Sequence, residues 1–287
     1  MFKACAAPQD AFIDDVVTII SAANLILQQE YQTYCLASEQ FDVQIKTDHS
    51  PVTQADLKAN AFIVHALGEK TPDIPVLSEE GDIALRQQWS KCWLLDPLDG
   101  TKEFLKKRPE FTINLSLIEH GQTLFSVIAV PAQQIIYLGY THQKPYKYDQ
   151  KNQQWQSYEA SMAKQQKLKL GLSHNSRQAE YQQLMQILQQ TQMVEPVFSG
   201  SAYKFCMMLE GEIDLYPRFH PTCEWDTSAG QGLLESVGGG LITLDAKPFR
   251  YNVRDTVLNS GFLAFISVDT KAIALNALNL MKKSGMG

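Results

Sequence analysis

Four places in the chain gather carboxylates beside an apolar run or a helix start: Asp56, Glu79-Glu80, Asp96 with Asp99, and Asp226. The densest is Leu94-Leu95-Asp96-Pro97-Leu98-Asp99-Gly100-Thr101. Trp93 to Leu95 read as a buried strand. It is expected to stop at Asp96, because Pro97 lacks the N–H that a sheet ladder needs. Two acids three residues apart, followed by Gly-Thr, suit a hard divalent cation and a phosphate. The same residues also fit an Asp-Pro turn closed by an Asx cap. The other acids have structural readings too. Asp56 fits the third position of a helix cap, Glu79-Glu80 a solvated acidic turn, and Asp226 an N-cap after a buried Trp225.

Elements must bring these acids together. Phe12 to Leu36 carries apolar residues at helical spacing. Phe41 to Thr53 reads as an edge hairpin or loop. A second helix begins at Thr53, where Thr53-x-x-Asp56 resembles a capping box, and ends at Gly68 and Pro72. Pro75 to Ser78 is a short strand. Phe111–Glu119 and Thr123–Val130 flank His120-Gly121, a hairpin signal. Ile135–Tyr140 is a further strand, and 141–167 a surface hairpin or domain connection. Beyond it come Leu168–Leu172 (strand), Ala179–Gln190 (helix), Pro196–Phe198 (strand), Ser201–Glu210 (helix) and Ile213–Tyr216 (strand). Asp226–Val237 (helix) stops at Gly238-Gly239-Gly240. Leu241–Leu244 and Phe262–Ile266 are strands, and Lys271–Lys282 is a closing helix. Strands alternating with helices argue for an α/β second half.

The chain has 287 residues, 45% apolar and 20% charged, ordinary for a globular protein with a large core. A net charge of −6 argues against a nucleic-acid partner, yet not against a small anion, since bound metal reverses the local sign. The five cysteines are scattered without a CxxC pair, so free thiols in a reducing cytoplasm are expected. No stretch reads as a membrane span or a signal peptide. Peripheral attachment to the inner face of the membrane stays open.

The order Asp56, Glu79-Glu80, Asp96-Pro97-Leu98-Asp99-Gly100-Thr101, Trp225-Asp226, eleven residues, Gly238-Gly239 resembles the signature of the inositol monophosphatase superfamily of magnesium-dependent, lithium-sensitive phosphatases. Lys46-x-Asp48-x-Ser50-Pro51-Val52-Thr53-x-Ala55-Asp56 is similar to its N-terminal block. Three further segments resemble the bacterial 3'(2'),5'-bisphosphate nucleotidases of the CysQ type: Lys102-Glu103-Phe104, Gly200-Ser201-x-x-Lys204-Phe205-Cys206 and Tyr216-Pro217-Arg218. The chain departs from that branch at Ser173-His174-Asn175-Ser176-Arg177, where relatives carry Ser-Arg-Ser-His.

The resemblance implies an α+β half, residues 1–155, followed by an α/β half, residues 156–287. They would be layered αβαβα, with the active site between them. It implies loss of the 3'-phosphate from adenosine 3',5'-bisphosphate, giving AMP and phosphate, by attack of metal-activated water. The phosphosulfate analogue is a second candidate substrate. Glu79, Asp96 and the Leu98 carbonyl would hold one Mg²⁺, and Asp96, Asp99 and Asp226 a second, with a third, weaker ion near Glu79. Thr101 and Asp56 would orient the water and take its proton. Glu79, Leu98, Asp99, Gly100, Thr101, His174, Ser201, Lys204, Arg218 and Asp226 would touch substrate. Without the resemblance, Lys204 reads as a solvated helix face, Tyr203 as a packing residue, and the histidines other than His174 as structural. An inositol monophosphatase or fructose-1,6-bisphosphatase, or a non-catalytic nucleotide sensor on the same fold, are the alternatives.

Overall fold

A computed structural model of the protein describes residues 1–46, 51–160, 167–174, 176 and 178–283. Asp48, His49 and Ser50 of the N-terminal block, and Asn175 and Arg177, lie outside the described residues.

The chain opens with β1 (Phe2–Cys5) and α1 (Ala11–Leu36), which Asp10 caps by accepting from the N–H groups of Phe12 and Ile13. Two short antiparallel strands, β2 (Val43–Ile45) and β3 (Pro51–Thr53), lead into α2 (Gln54–Lys70). Thr53 and Asp56 form the expected capping box, so the third-position acid of α2 is fixed at the helix start. Next come β4 (Val76–Ser78), β5 (Lys91–Asp99), the five-residue α3 (Thr101–Leu105), β6 (Thr112–Glu119), β7 (Gln122–Val130) and β8 (Ile135–Tyr140). The polar segment 141–160 adds the hairpin of β9 (Tyr146–Asp149) and β10 (Gln154–Tyr158), and β1 pairs with β10. These elements make an eight-stranded sheet ordered β1-β10-β9-β8-β7-β6-β5-β4.

Two expectations are corrected here. The strand does not stop at Asp96. β5 pairs with β6 at Asp96↔Asn114 and again at Asp99↔Thr112, with a register shift between. Pro97 sits in that irregularity, where no ladder N–H is needed. The boundary at 155/156 would cut β10, whose pairing with β1 extends to Phe2↔Tyr158, so the first unit runs at least to Tyr158.

The second half contains β11 (Leu168–Leu172), α4 (Ala179–Gln189), β12 (Val194–Phe198), α5 (Tyr203–Leu209), β13 (Leu215–Arg218) and β14 (Thr222–Cys223). They are followed by α6 (Ser228–Glu235), β15 (Gly240–Thr243), β16 (Leu258–Asn259), β17 (Phe262–Phe265) and α7 (Val268–Lys283). Five strands form a mixed sheet ordered β12-β11-β13-β17-β15. The helix expected from Asp226 is divided: a 3₁₀ turn, Glu224–Asp226, precedes α6. The helix expected from Ser201 starts at Tyr203, because Ser201 takes a left-handed φ of 45°.

The layers stack as α1 and α2, the large sheet, α5 and α6, the small sheet, then α4 and α7. Three apolar cores fill the spaces between them. This is the expected αβαβα order. By length and composition α1 could cross a membrane. Its Ile13, Val16, Ile20, Ala23 and Leu27 are nevertheless buried in the first core, which accounts for its apolarity. None of the five cysteines is in a disulfide.

Candidate active site

The acids that sequence scatters over 170 residues meet where the two halves join. Carboxylate oxygens of Glu79, Asp96 and Asp226 lie within 4.8 Å of one another. Glu79 follows β4, whose parallel pairing with β5 sets it beside Leu95, its N–H donating to the Leu95 carbonyl at 3.0 Å. Asp96 is almost wholly buried, and its Oδ1 accepts from the Leu98 N–H at 3.0 Å. That is the Asx bond of the turn reading, so turn and acid cluster coexist in one residue. Asp226 arrives on the 3₁₀ turn, its Oδ2 accepting from the Cys223 N–H at 2.9 Å and from the Thr222 hydroxyl.

The turn is held on both sides. The buried Glu224 carboxylate accepts from Arg254 Nη2 at 2.8 Å and from the Asn252 N–H at 2.6 Å. Asn259 Nδ2 donates to the Cys223 carbonyl at 3.2 Å and to Thr227 Oγ1 at 2.8 Å.

So many acids in one buried place resist ionisation. Burial, then Glu79, Asp99, Asp226 and Asp56, push the Asp96 carboxyl well above its ordinary value. Burial, then the Asp226 charge, raises Asp99 to about 7. Glu79 is raised by burial, against which its bond to Lys46 works. Lys46 Nζ reaches Glu79 Oε1 at 2.7 Å and Glu80 Oε1 at 2.5 Å, a cation built into the edge of the cluster. An all-oxygen donor set whose members hold one another's pKa values up fits a hard divalent ion and suits neither zinc nor copper.

Asp99 points partly away from the trio. Its Oδ2 accepts from the Ala202 N–H at 2.5 Å and from Asn114 Nδ2 at 3.3 Å. Asp56 Oδ1 accepts from Thr101 Oγ1 at 3.2 Å, and the same hydroxyl lies 3.3 Å from the Leu98 carbonyl. Burial raises the Asp56 carboxyl, countered by its bonds to Thr53 and Thr101. Gly100 has φ 94°, a left-handed conformation that favours glycine, and a Cβ there would meet Ser201 Cβ at 3.0 Å. With five residues, α3 supplies amides at its start but only a weak dipole.

Asp99, Ser201, Arg218 and Asp226 line one narrow cleft. Although burial opposes its charge, Tyr216, Asp226 and Asp99 hold the Arg218 guanidinium above its ordinary value. Lys204 differs from both sequence readings. It is neither a solvated face nor open to the cleft, because it has no exposed surface. Its Nζ donates to the carbonyls of Ser199 and Ser201 at 2.9 and 3.0 Å and lies over the Tyr216 ring. Burial, then Arg218, pulls its pKa down to about 7. His174 is a quarter exposed and bonds Glu110 at 2.7 Å. Glu110, Glu224 and Arg254 escaped the sequence reading. Lone charged residues outside any motif carry no spacing signal.

The branch-specific segments touch. A Cβ on Gly200 would come 2.4 Å from Glu103 Cγ, so the Lys102-Glu103-Phe104 block abuts the Gly200-Ser201 turn. The Tyr203 hydroxyl accepts from Gln133 Nε2 at 2.7 Å, so this residue does more than pack.

A model of the inositol monophosphatase family matches residues 9–274. The chain is 36% identical over 258 residues to the 3'(2'),5'-bisphosphate nucleotidase CysQ of Escherichia coli O6:H1, a span of 87% of this chain and 98% of that protein. It is 39% identical over 222 residues to the protein of the same name from Salmonella typhimurium, covering 76% and 86%. The crystal structure of CysQ from Bacteroides thetaiotaomicron, a bacterial member of the same family, superposes with a TM-score of 0.74 at 31% identity. That alignment covers 89% of this chain and 98% of that one.

Proposed function

The chain belongs to the inositol monophosphatase family, a family in general metal-dependent, and from that premise we propose that it is a magnesium-dependent 3'(2'),5'-bisphosphate nucleotidase. The observation that carries the reading is the convergence of Glu79, Asp96 and Asp226 beside the Asp56–Thr101 pair. The substrate class follows from the likeness to proteins named 3'(2'),5'-bisphosphate nucleotidase CysQ over most of their length.

Glu79, Asp96 and the Leu98 carbonyl would hold one Mg²⁺, and Asp96, Asp99 and Asp226 a second. A phosphate monoester carries about two negative charges, which bare acids would repel. The ions supply the positive charge that reverses this field and make water a better nucleophile. The remaining work falls to the chain's own groups. Thr101 Oγ1 donates to Asp56 Oδ1 and offers its lone pairs to the attacking water. The water's proton passes to Thr101 as the hydroxyl proton passes to Asp56 Oδ1, while the bond from phosphorus to the 3' oxygen breaks and that oxygen leaves on AMP with a proton taken from solvent. A hydroxyl is a weak base alone, and a buried carboxylate with a raised pKa is a better terminal acceptor. Arg218 offers a planar fork to a phosphate across the cleft. His174 and Ser201 lie on the side of the Gly200 turn. No side-chain nucleophile and no covalent intermediate are needed.

The test is phosphate release from adenosine 3',5'-bisphosphate, inositol 1-phosphate and fructose 1,6-bisphosphate under Mg²⁺ titration, with AMP identified as product. Preference for either sugar phosphate overturns the substrate assignment. Binding without turnover of any of the three would make the protein a sensor. Millimolar lithium is expected to inhibit.

A further inference from the structure

We propose that Glu110 is the positioning residue for the surface that receives the unreacting part of the nucleotide, acting through His174, Gly200 and Ser201; this rests on the nucleotidase reading above. Glu110 lies between α3 and β6, in the first half of the chain. Among the described residues, the three hydrogen-bond partners named here come from the second half. Its Oε2 bonds His174 Nε2 at 2.7 Å and accepts from the Gly200 N–H at 2.8 Å. Its main-chain carbonyl accepts from Ser201 Oγ at 2.7 Å. One residue thereby fixes a side chain, a backbone amide and a hydroxyl that lie 64, 90 and 91 residues away.

The turn so held needs holding. Ser201 has φ 45°, a conformation that costs energy for any residue but glycine. The Gly200 backbone is pressed so close that a Cβ would meet Glu110 Oε2 at 3.2 Å as well as Glu103. From this turn the Ala202 N–H reaches Asp99 Oδ2 at 2.5 Å, and Ser201 abuts Gly100. Displacing the turn therefore moves the wall of the cleft beside the reacting phosphate.

The carboxylate also decides what His174 presents. A ring nitrogen bonded to a carboxylate oxygen carries its proton, so Nε2 is the donor to Glu110 and Nδ1 is left for another partner. Without Glu110 the ring loses both its anchor and its chosen tautomer. Beside Glu110 at the Gly200 turn stands Glu103, and the Glu110 charge also acts on the buried Lys204. Glu110 makes none of these contacts with Glu79, Asp96 or Asp226 and reaches the acid cluster only indirectly, through the Ala202 N–H on Asp99, so its main effect falls on substrate placement.

Glu110→Ala and Glu110→Gln are assayed with adenosine 3',5'-bisphosphate and with p-nitrophenyl phosphate, which has a reacting phosphate and no nucleotide. Glu110→Ala should raise KM for the nucleotide at least ~10-fold with kcat within ~3-fold, and leave both constants for the aryl phosphate within ~3-fold. Glu110→Gln, which keeps an acceptor for the Gly200 amide, should fall between wild type and Glu110→Ala. Equal losses on both substrates, or a fall in kcat at unchanged KM, would overturn the proposal. If wild type itself prefers inositol 1-phosphate to the nucleotide, the nucleotidase reading fails and takes this one with it. A wild type that prefers the nucleotide, beside a Glu110→Ala variant with unchanged KM, defeats this inference alone.

Discussion

Asp56 divides its two oxygens between structure and chemistry: Oδ2 holds the Thr53 N–H at 2.9 Å, while Oδ1 receives the Thr101 hydroxyl at 3.2 Å. The helix cap thus aims Oδ1, the proton acceptor of the proposed mechanism, at Thr101. Asp56→Asn keeps an oxygen for the cap and loses the ability to take a proton. We expect kcat to fall by about 10²–10⁴, the usual weight of general-base work. The cap itself is worth only about 1 kcal/mol, so Tm should move by a few degrees at most. Phosphate release and a thermal melt on the same preparation separate the two effects. Retained activity would remove Asp56 from the proposed mechanism.

That double use explains which parts were legible in sequence. Thr53-x-x-Asp56 announces a helix start by a local rule, and its structure follows that rule. The acids Asp96, Asp99 and Asp226 are legible because a hard cation would require an oxygen donor at each such position. Pro97 misled because its missing N–H is harmless inside a bulge, which depends on the partner strand β6 and not on local sequence. β9 and β10 form a hairpin inside 141–167, one of the two readings of that segment, whereas β1 gives no strand signal because its four residues alternate weakly. Lys204 looked like a surface cation because nothing in its neighbourhood along the chain says that Tyr216 and the carbonyl of Ser199 will close over it.

The acid cluster sets a pH dependence whose sign follows from its pKa values. Burial and neighbouring charge raise Glu79, Asp96 and Asp99, the last to about 7. In the unfolded chain such groups titrate near ~4. A group whose folded pKa is raised binds more protons when folded, so stability falls as pH climbs from the unfolded value to the folded one. The Tm of metal-free protein should therefore drop between pH 5 and pH 7.5. Each kcal/mol lost would lower Tm by about 2–4 °C in a chain of this order of size. Saturating Mg²⁺ should raise Tm and flatten the dependence, because ligand binding stabilises the folded state. Calorimetry with EDTA and with Mg²⁺ checks both. A metal-free Tm that rises across this range contradicts the cluster's electrostatics.

The hold on the Asp226 turn can be separated from the stability it brings. Glu224 has no exposed surface and is paired with Arg254 at 2.8 Å. Arg254→Met strands that carboxylate and should cost about 3–5 kcal/mol. Replacing both, as Glu224→Met with Arg254→Met, removes the buried charge and should restore most of the loss. Metal binding should not recover with it, because the 3₁₀ turn then lacks its outer anchor. The Mg²⁺ concentration for half-maximal activity should stay raised by about 10–100-fold, the usual effect of losing a partner behind a metal ligand. A double variant with wild-type Mg²⁺ demand would assign the pair to folding alone.

Lys204 offers the sharpest choice between touching substrate and supporting the wall that does. If its ammonium gripped a phosphate directly, arginine would serve at least as well, since its fork matches phosphate geometry. The structure encloses the side chain completely, with Nζ on the carbonyls of Ser199 and Ser201. A guanidinium is bulkier than an ammonium, and forcing it into a filled site costs about 1–3 kcal/mol. Lys204→Met keeps the length and apolar stem while leaving two carbonyls without their donor. We therefore expect Lys204→Arg to be the less stable of the two, with both variants raising KM for the nucleotide as the Gly200-Ser201 turn loosens. Thermal melts and KM on one substrate decide it. An arginine variant with wild-type Tm and KM would mean that Lys204 reaches into the cleft in the working enzyme, and that the closed position seen here is not the one substrate meets.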